Sequence, residues 1–310
     1  MISLSFTILP VFLLLVLGIV LSRYRFPSDS FWSGVDKLVY WVLFPSLLYT
    51  KTSEVDFSNP IVGSYATVFL STIFIVCCCV LLVNYFFKSS PPTCTSMMQA
   101  GVRFNTFIAL AVAEKLYGET GLLFATLGAS ILIPTINVLV VVYMVIKHGK
   151  EGVNLGSLIF KELFKNPLII SILLGVSVNL MGLSKVIPLY TITELLAQAT
   201  LPLVLLAVGA SLQFHEVKTA WKYIGFSTLI KMVIFPGVII WLCLLLNVTG
   251  IMAAVAVIFG AVPTATSGYA LARQLGGNAP LMAVLISFQT AISIFMLPFV
   301  MWIAQAIFLS

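Results

Sequence analysis

Charged side chains are scarce in this chain. Only 8% of its 310 residues are Asp, Glu, Lys or Arg, whereas 61% are hydrophobic and the mean hydropathy is +1.14. A soluble domain of this length would need many more polar residues to cover its surface. The composition therefore excludes a soluble globular protein and indicates an integral membrane protein.

Several signatures of catalysis and of metal binding are also missing. The chain has two histidines, His148 and His215, and five cysteines, three of which are consecutive at 77–79. This set has no metal-ligand spacing and implies no disulfide framework. No aspartate pair falls at mid-span, as an intramembrane aspartyl protease would require, and no glycine-rich phosphate loop occurs. We therefore expect no enzymatic activity, no cofactor and no metal.

Apolar runs of helical length recur along the whole chain. A helix needs about 20 apolar residues to cross a bilayer, and these runs lack the two-residue alternation of barrel strands. We predict ten spans, at residues 4–22, 32–50, 61–87, 94–116, 120–146, 166–183, 189–211, 219–247, 249–274 and 279–308. The first run has no basic residue before it and no small-residue cleavage pattern after it, so we expect a retained helix. The predicted fold class is an all-α membrane protein.

The basic residues are concentrated on one side of the predicted spans. Eleven Lys and Arg residues follow odd-numbered spans, and three follow even-numbered spans. Because cytoplasmic loops carry such an excess, we expect the first side to face the cytoplasm and both termini to lie outside a cell (inner or plasma) membrane. The net charge of +6 then reflects membrane insertion, and we expect no nucleic-acid partner.

The two halves of the chain carry matching landmarks. The matched residues are Pro10 with Pro167, Gly18 with Gly175, Pro45 with Pro202 and Leu48 with Leu205, all separated by 157 positions. Each half has five predicted spans, and halves with an odd number of spans insert in opposite orientations. The sequence therefore predicts two inverted five-helix repeats.

One pair of stretches in these halves combines polar and helix-breaking residues. RFNTFIALAVAEKLYG at 103–118 is echoed by VPTATSGYALARQLGG at 262–277. An interrupted helix survives in a membrane only where it is buried in protein or lines a cavity. Interruptions in corresponding positions of inverted halves are typical of a transporter's substrate site, so we predict broken helices 4 and 9 that cross. An ordinary proline kink at Pro263 is the alternative for the second stretch taken alone.

Two cations, Arg103 and Lys231, fall well inside predicted spans, whereas all ten acidic residues map to loops or helix ends. This predicts a positively biased, carboxylate-free interior suited to an anion. Two alternatives are that Arg103 snorkels to the cytoplasmic interface and that Lys231 bonds carbonyls freed by Pro236 or by a neighbouring broken helix. The candidate substrate-binding residues are Asn105, Thr106, Arg103, Pro263, Thr264, Thr266, Ser267, Lys231 and Gln289.

Three motifs resemble the auxin efflux carrier family: the two stretches above, the second preceded by GA, and IKMVIFP at 230–236. The similarity runs across essentially the whole chain, and bacterial members of the family include proteins assigned as malate and malonate permeases. The resemblance implies a fold shared with bile acid sodium symporters, a homodimer, and an Asn105 that contacts the substrate carboxylate. Phe104 departs from the proline that the family has in this crossing helix.

The resemblance also implies a division into two domains. A scaffold would comprise residues 1–57 and 166–214, a transport domain 58–147 and 215–310, and 148–165 would be a cytoplasmic linker. We expect a secondary active or facilitative transporter of small organic anions, such as malate, malonate or auxin-like acids, working by alternating access. Its partners would be the anion, the lipid bilayer, and a sodium ion or a proton. The alternatives are a sodium-coupled symporter of a bile-acid-like amphipathic anion and a passive anion pore or sensor.

Overall fold

The computed structural model describes residues 2–57, 60–148, 155–183, 189–212 and 221–309. These residues form helices and connecting turns without any strand, which confirms the all-α class within the described part of the chain. His215 and the domain boundary expected at 214–215 lie outside the described residues.

Fourteen α-helices are present in the described ranges. They are α1 (Ile2–Arg23), α2 (Asp29–Leu38), α3 (Phe44–Ser53), α4 (Ile61–Phe86), α5 (Pro91–Val102), α6 (Thr106–Lys147), α7 (Leu155–Phe164), α8 (Pro167–Leu180), α9 (Leu189–Ser211), α10 (Trp221–Leu229), α11 (Phe235–Leu245), α12 (Gly250–Ala261), α13 (Ser267–Leu275) and α14 (Ala279–Phe308). One π-helical turn joins α2 to α3 at Val39–Leu43, and another joins α10 to α11 at Ile230–Ile234. Within the described residues, six helical segments are long and apolar enough to cross a membrane.

Two features of the helices refine the predicted spans. The chain turns sharply within α6 at Gly118, where φ is 61° and ψ is −148°, a conformation open essentially to glycine. This turn separates the predicted fourth and fifth spans. A helix that the sequence analysis did not predict, α7, occupies part of the linker expected at 148–165.

Close packing of α1 against α9, and of α8 against α3, depends on a pair of glycines. A Cβ on Gly18 in α1 would stand 2.1 Å from the carbonyl oxygen of Leu206 in α9, and one on Gly175 in α8 would stand 2.8 Å from that of Tyr49 in α3. Gly18 and Gly175 are 157 positions apart, and so are Tyr49 and Leu206. The same helix contact therefore occurs twice, with the roles exchanged between the halves of the chain.

A second pair of elements also matches between the halves. Helices α5 and α12 each have 12 residues, and both helices end in an extended residue. Arg103 follows α5 with φ −70° and ψ 149°, and Val262 follows α12 with φ −73° and ψ 152°. Both helices therefore stop at an equivalent point and in the same backbone conformation.

A row of aromatic rings in the core leads to these helix ends. The ring centroids of Tyr65 and Phe69 are 4.7 Å apart, those of Phe69 and Phe259 are 5.4 Å apart, and those of Phe259 and Phe104 are 5.0 Å apart, all in edge-to-face arrangements. Tyr65, Phe69 and Phe259 are fully buried. Edge-to-face pairs add to the stability that burial provides, so this row fixes the ends of α5 and α12 against α4.

Candidate substrate site

The two interrupted helices meet at their breaks. Residues 103–105 are non-helical between α5 and α6, and residues 262–266 are non-helical between α12 and α13; we call them the first and second interruptions. The backbone N–H of Asn105 donates to the carbonyl oxygen of Pro263 over 2.7 Å. The predicted breaks in both stretches are thus confirmed, and an ordinary proline kink does not describe the second one.

Asn105 explains how the first interruption forms without a proline. Its Oδ1 accepts a hydrogen bond from the backbone N–H of Ile108 over 3.1 Å, so the residue caps the start of α6. Asparagine is among the strongest N-cap residues because its side chain satisfies a donor that the first helical turn leaves unpaired. Phe104, at the position where the resemblance led us to expect proline, is held instead by the aromatic row.

Lys231 compensates the second interruption. In a continuous helix the Phe259 carbonyl would accept from residue 263, but Pro263 has no N–H to donate. The Nζ of Lys231 donates to this carbonyl over 2.9 Å and lies 4.0 Å from the centroid of the Phe235 ring. Its side chain is 0% exposed. Of the two roles considered for Lys231, the structure shows the hydrogen bond to a carbonyl freed by the broken helix. Lys231 does not line the cavity described below.

Thr264 and Gln289 form a support behind the second interruption. The backbone N–H of Thr264 donates to Oε1 of Gln289 over 3.0 Å, and the Thr264 hydroxyl donates to the carbonyl oxygen of Gln99 over 3.4 Å. Thr264, Gln289 and Gln99 are fully buried. They hold the unwound backbone in place, because a buried amide without a partner would be costly.

A cavity of about 600 Å³ lies in front of the interruptions. Its lining comes from α2, the π-helical turn that follows it, α3, α8 and α9, and from α6, α13 and the interruptions themselves. The predicted site residues that line it are Arg103, Asn105, Thr106, Thr266 and Ser267. The others, namely Pro263, Thr264, Lys231 and Gln289, are not part of its wall. The predicted residues at the starts of α6 and α13 thus line the cavity. The residues that support the interruptions lie behind this wall.

Arg103 joins the two sides of this meeting point. Its Nη1 donates to the hydroxyl of Ser267 over 3.2 Å, and its Nη2 donates to Oδ1 of Asn137 over 3.2 Å. The guanidinium therefore lies at the cavity wall. Its charge lies beside the first turns of α6 and α13, whose N-terminal dipole ends are also positive. These positive groups consequently favour an anion at this part of the wall.

Several other polar residues of the cavity were not singled out from the sequence, among them Asp36, Asn137 and Asn166. Asn137 is polar in the middle of a predicted span, a signal that could have identified it. Asn166 caps α8 by accepting from the Leu168 N–H over 2.9 Å, and the Asn-Pro pair is a recognisable helix start. The expected carboxylate-free interior is wrong for this cavity, because Asp36 of α2 lines it.

Polar contacts tie the helices together at the opposite end of the molecule. Lys51 Nζ in α3 lies 2.5 Å from Glu119 Oε2 in α6, and the same lysine lies 3.4 Å from Glu54. Tyr190 of α9 donates to Glu54. Asn179 Nδ2 of α8 donates to the carbonyl oxygens of Ser53, the last residue of α3, and of Val55, over 2.6 and 2.9 Å. These contacts close the end away from the cavity.

Comparison with known proteins gives a consistent picture. Residues 3–301 match a sequence family described as "Membrane transport protein". An "Uncharacterized transporter" from Methanothermobacter thermautotrophicus is 25% identical over 306 residues, which cover 94% of this chain and 95% of that protein. A "Putative malonate transporter" from Rhizobium meliloti is 31% identical over 113 residues, 36% of this chain and 35% of that protein.

Proposed function

Since this chain belongs to the auxin efflux carrier family of membrane transport proteins, we propose that it is a secondary active or facilitative transporter of small organic anions. The observation that carries this function is the cavity wall, where Arg103, Asn105 and two helix starts converge. A carboxylate is the substrate group that such a wall suits, since it accepts hydrogen bonds from amide and guanidinium donors and is attracted by helix N-termini.

Asn105 is the residue that we assign to direct carboxylate binding. Its Oδ1 is occupied by the α6 cap, while its Nδ2 makes no hydrogen bond to the described residues. Because the residue lines the cavity, this Nδ2 can donate to an anion there. Thr106, Thr266 and Ser267 supply hydroxyls on the same wall. The description of the Rhizobium meliloti relative as a malonate transporter supports a small dicarboxylate such as malonate as the first candidate.

The architecture that we propose is ten transmembrane helices arranged as two inverted five-helix repeats. The recurring glycine contacts support it, as do the equal lengths and end conformations of α5 and α12. In this arrangement α1–α3 with α8 and α9 form the scaffold, and α4–α6 with α10–α14 form the transport domain. The scaffold is also the surface through which we propose that two copies form a homodimer.

The proposed alternating-access cycle starts from a molecule that is open at the cavity end and closed at the opposite end. With the arginine- and lysine-rich side in the cytoplasm, the ends of α6 and α9 and the start of α8 that border the cavity face inward. The Lys51 and Glu119 pair closes the outer end. Movement of the transport domain against the scaffold would break this pair and expose the interruptions to the outside.

A sodium-coupled cycle is the second candidate, and Gln99 is the observation that favours it. Its Oε1 is buried next to the second interruption and has no hydrogen-bond partner among the described residues. An amide oxygen of this kind is a suitable ligand for a hard cation. Tighter anion binding in NaCl than in KCl would support coupling, and equal affinities in the two salts would remove it.

Counterflow in proteoliposomes tests the proposed function. Vesicles preloaded with unlabelled malonate, or with another carboxylate chosen by thermal stabilisation of the purified protein, should accumulate labelled substrate transiently and saturably. A carrier shows this trans-stimulation because one site is exposed alternately to each side. Uptake that is linear in concentration and indifferent to internal substrate would instead indicate a passive pore, and binding without any uptake would indicate a sensor.

A further inference from the structure

A second concave surface lies on the exposed face of α4, next to the C-terminal end of α6. This groove has a volume of about 900 Å³ and shares no lining residue with the substrate cavity. Its apolar wall is formed by Leu81, Leu82, Tyr85 and Phe86 of α4, which are 44% to 78% exposed. In a spanning helix, large apolar side chains with this exposure face lipid.

Unsatisfied polar atoms line the same groove. Oδ1 of Asn84, the hydroxyl of Ser89 and the hydroxyl of Tyr143 are buried and have no hydrogen-bond partner in the described part of the chain. The Asn84 side chain is only 6% exposed, and its Nδ2 donates to the carbonyl oxygen of Cys94 over 3.4 Å. Buried polar atoms in folded proteins nearly always have a partner. Two unpaired hydroxyl donors in one groove indicate that a bound molecule supplies the hydrogen-bond acceptor.

Two lysines give the groove its charge. Lys88 follows α4 and Lys147 is the last residue of α6, and both line the groove. Neither pairs with a carboxylate among the described residues, whose ion pairs all involve Lys51. Lys88 has a left-handed backbone, with φ 48°, at a position where glycine is usual. The Ser89 N–H donates back to the Asn84 carbonyl over 3.1 Å, and this turn brings Lys88, Ser89 and Asn84 together.

We propose that this groove binds an anionic phospholipid. The phosphate accepts from Lys88, Lys147 and the Ser89 and Tyr143 hydroxyls, while an acyl chain lies along the exposed apolar face of α4. A soluble anion would leave that face unused, and a zwitterionic headgroup would bring a cation against two lysines. Basic pockets at the ends of transmembrane helices are suited to acidic headgroups for the same reason.

Native mass spectrometry of the purified full-length protein tests this site. We expect phosphatidylglycerol to bind more tightly than phosphatidylcholine of the same chain length. Lys88→Asn removes a charge while keeping a residue that tolerates the left-handed backbone, and Lys147→Gln removes the other. Each basic residue near an anionic headgroup contributes enough to change affinity about fivefold, so the double variant should bind phosphatidylglycerol about 25-fold more weakly. Lys37→Gln, at an exposed position outside both concave surfaces, should leave the affinity unchanged.

Tyr143→Phe tests the same groove without changing its charge. It removes a hydroxyl that has no protein partner in the described chain, so we expect unchanged thermal stability but weaker phosphatidylglycerol binding. Equal binding of the two lipids, or unchanged phosphatidylglycerol affinity in both the lysine and tyrosine variants, would overturn the proposal. Glycerophosphoglycerol, which lacks acyl chains, should compete poorly; equal affinity for it would assign the groove to a soluble phosphate ester instead.

Discussion

Asn105 has two roles in the proposed transporter, and substitutions can separate them. Oδ1 caps α6 through the Ile108 N–H at 3.1 Å, and Nδ2 is the donor that we assign to the substrate carboxylate. Alanine would remove both groups and would not distinguish folding from binding. Asn105→Ser keeps a capping oxygen and removes the amide donor. Asn105→Asp keeps the capping oxygen and places a carboxylate where the donor was.

The expected sizes of the two effects differ clearly. Serine and asparagine are nearly equivalent N-caps, so Asn105→Ser should change the free energy of unfolding by less than about 0.5 kcal/mol. Asn105→Asp should cost more, because Asn105 is only 2% exposed and the new carboxylate would be buried. A hydrogen bond to a charged group contributes about 1.5–3 kcal/mol, which corresponds to about 10- to 150-fold in Kd. We expect malonate binding to weaken by this factor in Asn105→Ser. In Asn105→Asp it should weaken further, because the two carboxylates repel each other.

Isothermal titration with malonate and thermal unfolding without ligand measure these quantities on the same purified samples. Asn278 provides a matched control, since its Oδ1 caps α14 through the Leu281 N–H at 3.1 Å but the residue does not line the cavity. Asn278→Ser should therefore leave the malonate Kd unchanged. Binding of malonate to Asn105→Ser within about twofold of the original affinity would refute the assignment of Nδ2, provided that the original protein binds malonate.

Three further predictions concern the parts that support the site. Lys231→Met should lower the melting temperature, because it leaves a buried carbonyl unpaired at a cost of about 1–3 kcal/mol. It should change the substrate Kd less than about twofold. A loss of binding without a loss of stability would place this lysine in the site. Gly118→Ala should destabilise the protein by about 1–3 kcal/mol through its backbone conformation, whereas Gly63→Ala, also with open space around a built Cβ, should be neutral or stabilising in calorimetry. Glu119→Gln removes the ion pair with Lys51 and should shift the conformational equilibrium toward outward opening. The shift should be at most about fivefold, because Glu119 is 76% exposed. Unchanged spin-label distances between α3 and α6 would contradict this role.

The sequence alone determined most of the apolar helical spans and the two places where helices are interrupted. Apolar runs, Pro263 and the capping Asn105 act on neighbours within about four residues, so their consequences can be read locally. The landmarks spaced by 157 residues likewise anticipated contacts that recur in the structure between Gly18 and α9 and between Gly175 and α3. A one-residue departure, Phe104, did not prevent the first interruption because the cap and the aromatic row replace proline.

Tertiary structure decided which polar groups share a cavity. Arg103 meets Ser267 across 164 positions and Asn137 across 34, and Lys231 meets its carbonyl across 28. A buried cation seeks the acceptor that packing brings nearest, and that acceptor depends on how distant helices approach one another. Hydropathy and propensity carry no information about that approach. The sequence therefore supplied both cations as candidates, and only the folded chain assigned one to the cavity wall and the other to a broken helix.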